Sequence, residues 1–190
     1  MFERIDLKAV VDPVWIEKYQ SFFTEKTLPP KTVLLEQGQM AEAIYWIQKG
    51  CIRAWINHQG QEVTFQFFME GSLVASMESF WKGKPSALTI ETIEPCVVWV
   101  ADKNAVQILI EEVLEQREFR NLFIDAIFDR TFDYMQHSLS FIQLTPEQRY
   151  VKLLEERPEL IRRIAQHYIA SYLGISSVHL SRIKGKWAKK

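Results

Sequence analysis

Glycine punctuates only one half of this chain. Gly38, Gly50, Gly60, Gly71 and Gly83 fall at intervals of 12, 10, 11 and 12, and no glycine follows until Gly174. Glycine supplies turn geometry without steric cost, so turns every ten to twelve residues predict short strands closing a sandwich or β-roll. The runs between the turns alternate as strands do. In 51–57, Ile52, Ala54 and Ile56 share one face; in 62–68, Val63, Phe65 and Phe67 share one. The intervening His58-Gln59-Gly60-Gln61 predicts a hairpin. Runs 88–93 and 96–100, broken by Glu94-Pro95, complete the series. The β domain is expected over about 28–101, preceded by an amphipathic helical segment near Pro13–Thr24.

From Asp102, a plausible N-cap, the texture changes: residues 103–142 hold neither Gly nor Pro. Lys103–Leu114 carries apolar residues at 105, 106, 109, 110 and 113, a helical period. Further on, Ile124, Phe128, Phe132, Met135, Leu139 and Ile142 are spaced 4, 4, 3, 4 and 3. A helix over 116–142 would be about 40 Å long. A second stripe of Phe119, Leu122, Phe123, Ala126 and Ile127 makes the apolar surface wider than one packing face needs. That width predicts two partners, the β domain and a second copy of the helix; the alternative is a helix lying only on its own domain. Thr145-Pro146-Glu147-Gln148 then opens a new helix with a capping box and proline at its first position, stopped near Glu156 by Pro158.

Charge divides the chain a second time. Residues 1–144 hold 13 Lys+Arg against 20 Asp+Glu, whereas residues 145–190 hold 10 against 4. After Glu159 there is no carboxylate side chain, while Arg162, Arg163, Arg182, Lys184, Lys186, Lys189 and Lys190 supply cations. An acidic body carrying a basic device for a polyanion fits this asymmetry; a solvated basic tail is the plainer alternative. At 47% hydrophobic and 13% aromatic the chain can build a core. No apolar run approaches a membrane span, and Glu3, Arg4, Asp6 and Lys8 interrupt any secretory signal core. The expected setting is cytoplasmic, with no membrane partner.

The basic segment has its own architecture. With Gln166 as the first position of a helix-turn-helix, Ala170 falls at position 5, Gly174 at 9, Leu180 at 15 and Ile183 at 18. Two helices crossing at about 90–120° need a small residue where they touch and a glycine in the turn. Ile169, Leu173, Ile175, Leu180 and Ile183 are expected to face inward, and Ser176 to cap the second helix. Ser177, Val178, Ser181 and Arg182 then face outward, where base edges would lie. A helical hairpin that only packs is the structural alternative.

A β-roll, a long helix and a C-terminal IASYLGIS followed by HLSRIK resemble the cyclic-AMP receptor protein / fumarate-nitrate regulator (Crp/Fnr) superfamily of bacterial transcription regulators. The fold class implied is α+β: an N-terminal β-roll (a double-stranded β-helix like cyclic-nucleotide-binding domains), a dimerisation helix and a C-terminal helix-turn-helix. The corresponding divisions are 1–115, 116–142 and 145–190. The resemblance implies a homodimer zipped by Ile124, Phe128, Phe132, Met135, Leu139 and Ile142, with two recognition helices entering successive major grooves of double-stranded DNA. Arg182 stands where the family places its guanine-reading arginine. Ser177 and Val178 stand at two other reading positions, and a glutamate is common where this chain has Val178. Gln166, His167, Tyr168, Ser176 and Ser181 join the DNA-facing set. The last residues, IKGKWAKK, leave the β-hairpin wing of many members absent or vestigial, with Lys184, Lys186, Lys189 and Lys190 contacting phosphates instead. RNA polymerase and an unidentified small ligand are further partners that the resemblance leaves open.

The resemblance also exposes a departure. Nucleotide-binding members carry Gly-Glu-Leu and, about ten residues later, Arg followed by Ser or Thr and Ala. The arginine pairs with the cyclic phosphate, the glutamate takes the ribose hydroxyl and the glycine admits the backbone. Here Val74, Ala75, Ser76 and Met77 stand at the first motif, and Lys84, Pro85, Ser86 and Ala87 at the second. Both charged partners are missing, and Lys84 offers a point charge without a fork. The expectation is an effector domain that does not bind cyclic AMP; the alternative is a regulator gated by a cyclic nucleotide or another small ligand. Phe80 and Trp81 are candidates to fill the pocket.

Other chemistry finds little support. His58, His137, His167 and His179 show no metal-ligand spacing, and one histidine within 28–101 excludes a cupin-type metal site. Cys51 and Cys96 sit in apolar strand patterns, too few for an iron–sulfur cluster or a disulfide scaffold. No nucleophile–base pair or phosphate loop stands out, so no enzyme and no cofactor is expected.

Overall fold

The computed structural model describes residues 20–115 and 117–187. The chain forms two compact units that divide after Ile110. Among the described residues the first is all-antiparallel β with a short helix and the greater part of a second one. Its strands are β1 (Thr24–Leu28), β2 (Val33–Leu35), β3 (Ala43–Lys49), β4 (Ile52–His58), β5 (Gln61–Phe68), β6 (Leu73–Val74), β7 (Thr89–Thr92) and β8 (Cys96–Asp102). They make two four-stranded sheets, ordered β1-β8-β3-β6 and β2-β7-β4-β5. Helix α1 (Met77–Lys82) follows β6, and α2 (Lys103–Glu115) leaves β8 with Asp102 accepting the Ala105 N–H at 2.8 Å. The core between the sheets gathers Leu35, Ile47, Ile52, Ala54, Phe68, Val74, Phe80, Ile90, Cys96 and Val98. Fully burying such side chains contributes about 1.5–3 kcal/mol each for the larger ones.

The hairpin falls where the sequence expects it. His58 pairs with Gln61, leaving a two-residue turn with Gln59 at φ 53° and Gly60 at φ 80°, the geometry that matches strand twist. Two expectations fail. The segment Pro13–Thr24 is not helical at its end: Thr24 already begins β1, paired with Val100, and residues 13–19 lie outside the described residues. β1 is an edge strand whose polar residues stay exposed, so it shows no apolar alternation. Nor do Val63, Phe65 and Phe67 share a face. Ala54 pairs with Gln66 but Trp55 with Thr64, so Phe65 is the extra residue of a β-bulge. The slip leaves Phe65 exposed and pairs Phe67 with Arg53 on the side opposite Ile52 and Phe68.

The second unit is helical: α3 (Arg117–Gln143), α4 (Pro146–Glu156), α5 (Pro158–Arg163), α6 (Gln166–Tyr172) and α7 (Ser177–Trp187). Thr145 caps α4 through the expected box, its hydroxyl accepting the Gln148 N–H while the Gln148 side chain accepts the Thr145 N–H. Tyr150, Leu153, Leu160, Ile164, Ile169, Ala170, Leu173, Leu180 and Ile183 form the core of this head. No helix among the described residues is long and apolar enough to cross a membrane.

Candidate functional site

The turn between α6 and α7 is built by a glycine and two backbone bonds. Gly174 sits at φ 67°, its N–H donating to Ser171 O at 3.0 Å, and Ile175 N–H donates to Ala170 O at 3.0 Å. A Cβ at Gly174 would meet the Phe141 ring at 2.8 Å, so the turn admits no side chain. Ser176 caps α7, accepting the His179 N–H at 3.2 Å on its hydroxyl. Leu180 and Ile183 are buried, which turns Ser177, Val178, Ser181 and Arg182 outward, all four exposed. Gln166 and His167 are exposed at the start of α6, Tyr168 is half-buried against the His167 ring at 3.9 Å, and Ser176 is exposed. Lys184 is half-buried; Lys186 is exposed, 3.9 Å from Glu147; Lys189 and Lys190 lie outside the described residues.

Sequence reasoning missed how α3 is fastened to this head. The His137 ring stacks on Tyr172 at 4.3 Å, and meets Phe141 edge-on at 5.1 Å. Arg149 lies over the Phe141 ring at 4.5 Å and donates to Leu173 O at 3.0 and 3.2 Å and to Leu144 O at 2.8 Å. Burial pushes the His137 imidazole down to about 4, and the cations Arg149, Arg157 and Lys152 push the same way. The ring is therefore neutral at pH 7 and acts as a flat packing surface. The fastening holds the end of the long helix to α6 and to the turn that leads into α7.

Along α3, Ile124, Phe128, Phe132, Met135, Leu139 and Ile142 are all exposed, with Phe128 and Phe132 stacked at 6.1 Å. Ile142 is 81% exposed and Phe128 54%, values a core-facing side chain would not show. This is an apolar seam along one face of the helix.

In the β-roll the two halves of the degenerate cassette meet each other. The hydroxyls of Ser76 and Ser86, both buried, hydrogen-bond at 2.9 Å, and Ser86 donates to Leu88 O at 2.7 Å. Val74 is fully buried, Ala75 half-buried, and Met77, Lys84, Pro85 and Ala87 exposed. Lys84 lies 3.6 Å from Glu78, which also holds Lys82 at 3.4 Å. Trp81 does not fill the interior: it is 58% exposed, and Phe80 alone is buried. Adjacent residues of a helix point about 100° apart, so only one of the pair can face the core. Two buried charges in this unit face each other: Arg53 donates to Glu91 at 2.7 and 3.1 Å, and also pairs with Glu62. Arg53 is opposite Glu91 in the β4–β7 register, a pairing that requires knowing which strands are neighbours. Cys51 and Cys96 are buried, and among the described residues no three His, Cys, Asp or Glu are grouped to hold a metal.

The profile of the cyclic nucleotide-binding domain family matches residues 25–113. Over 92 residues the chain is 26% identical to the cAMP-activated global transcriptional regulator CRP of Salmonella typhimurium, a match covering 48% of this chain and 43% of that one. The chain thus spans less than half the length of the curated relatives it matches. Among solved structures, the c-di-GMP responsive regulator CLP of Xanthomonas campestris superposes with a TM-score of 0.73 at 18% identity, over 94% of this chain and 92% of that one. A transcriptional regulator assigned to the Crp/Fnr family from Eubacterium rectale gives 0.69 at 13% identity, over 96% and 86%. The fold is the one these two regulators share. Residues 25–113 match the cyclic nucleotide-binding domain family, and the α6–α7 pair has the form of a helix-turn-helix. The curated relatives matched are transcription regulators.

Proposed function

We propose that this protein is a homodimeric, sequence-specific DNA-binding transcription regulator whose effector domain does not bind cyclic AMP. The observation that carries the reading is the outward face of α7: Ser177, Val178, Ser181 and Arg182, exposed on a helix braced by a glycine turn, in a segment without carboxylates after Glu159. A small, polar and cationic face is what a major groove admits. In this reading, residues 1–115 are the sensor, 116–142 the dimerisation helix and 145–190 the DNA-binding head. Gln166, His167, Tyr168, Ser176, Lys184 and Lys186 flank the reading face toward the phosphates. Double-stranded DNA and a second copy of the chain are its partners, in the cytoplasm, with RNA polymerase and a small ligand as further ones. Arg182→Ala is expected to cost about 1–3 kcal/mol and to relax preference at one position of each half-site. Lys186→Ala should weaken all sequences alike and lower the salt slope by about one. Equal affinity of Arg182→Ala and parent for the best duplex would remove the docking model.

Gating by a cyclic nucleotide is the second reading, favoured by the domain family itself. Against it stands the chemistry of the cassette. Ser76 and Ser86 satisfy each other, and Pro85 occupies the position of the phosphate-pairing arginine. A desolvated phosphate without its bidentate partner loses several kcal/mol, which moves micromolar affinity toward millimolar. A thermal shift of at most about 1–2 °C is expected with about 1 mM cyclic AMP; a rise of several degrees would favour the second reading.

A further inference from the structure

The outward face of α7 carries one apolar side chain, and it stands among groups that read bases. Val178 is 64% exposed in the first turn of the helix. A single exposed valine needs no explanation in itself. Its company does: Ser181 and Arg182 follow at i+3 and i+4, on the same helix face, and both are exposed. Valine neither donates nor accepts a hydrogen bond, so the only feature of a major-groove base edge it can recognise is the C5-methyl of thymine. Four residues of helix advance about 6 Å, close to two base-pair steps of about 3.4 Å.

We propose that Val178 reads a thymine methyl within about two base pairs of the guanine read by Arg182. This rests on the DNA-binding function proposed above, and adds a base preference that the exposure of Arg182 does not supply. A carboxylate at this position would accept from cytosine N4, so the valine also turns the helix away from a C·G pair.

The test uses the full chain and the duplex that it selects from a random pool. Each thymine of that duplex is replaced in turn by uracil, which deletes only the methyl group, and affinity is read by fluorescence anisotropy. One position per half-site should weaken binding about fourfold, the worth of one buried methyl. Val178→Ala should abolish most of that penalty while keeping the dependence on guanine, and Val178→Glu should exchange thymine for cytosine there. Neutral uracil at every position, or an undiminished penalty in Val178→Ala, overturns the thymine contact and leaves DNA binding standing. A pool that yields no preferred duplex overturns both.

Discussion

A chain carrying Glu at both Phe128 and Met135 is expected to sediment as a monomer, with operator affinity fallen to the non-specific level. The two side chains are 54% and 52% exposed, so neither holds the single chain together. Their replacement should leave helicity and the head intact, which circular dichroism checks. In a two-fold dimer the seam is self-complementary, and each substitution counts twice. Full burial of a Phe or Met contributes about 1.5–3 kcal/mol, so four side chains that are already half-buried are worth roughly 3–6 kcal/mol of association. Four carboxylates forced into the same space add repulsion and desolvation on top. DNA binding follows because half-sites about 34 Å apart need two recognition helices at fixed spacing. On α3, His137 stacks on Tyr172 of α6, and Phe141 lies under Arg149 of α4, which donates to Leu173 O. The seam helix is thus fastened to α6 and the turn before the reading helix, and spacing set on α3 passes through them to α7. A parent protein that is monomeric at micromolar concentration yet binds a palindrome tightly would overturn the seam.

What could be read in the sequence was what is local. The capping box at Thr145 and Gln148, the glycine at 174 and the apolar positions of α6 and α7 each act within a few residues, and each stands where the spacing puts it. The same holds for the turn at Gln59-Gly60. What was hidden depends on strands distant in sequence. β1 exists because Thr24–Leu28 finds residues 96–100 of β8, far along the chain, not because its own residues alternate. The bulge at Phe65 needs the β4–β5 register, and the Arg53–Glu91 pair needs the β4–β7 register across 38 residues. In the effector cassette the missing charges were visible as missing letters. The Ser76–Ser86 hydrogen bond that replaces them was not, since it requires the two half-motifs to fold against each other.

The evenly spaced glycines are not equivalent, and Gly50→Ala is expected to be the most damaging single methyl in the β-roll. Gly50 holds φ 105°, and a Cβ there would lie 2.6 Å from Cys96 Sγ, 2.6 Å from the Pro95 carbonyl oxygen and 2.9 Å from Cys96 Cα. Two of those three atoms are backbone and cannot rotate away. The third belongs to a buried side chain at the start of β8. Gly60, at φ 80°, has nothing within 4 Å of the same construction and so provides the control. The left-handed backbone alone costs a non-glycine residue about 1–2 kcal/mol, which both variants incur. Overpacking adds roughly 1–3 kcal/mol, occasionally more, at Gly50 only. Gly50→Ala should therefore lose about 2–5 kcal/mol and Gly60→Ala about 1–2, read as shifts in the urea midpoint at unchanged slope. If the two variants unfold together, the approach of β8 to Gly50 is looser than the structure has it. If Gly50→Ala alone collapses, the turn there is fixed by the strand beside it, and the spacing of the glycines marks where strands cross as well as where they reverse.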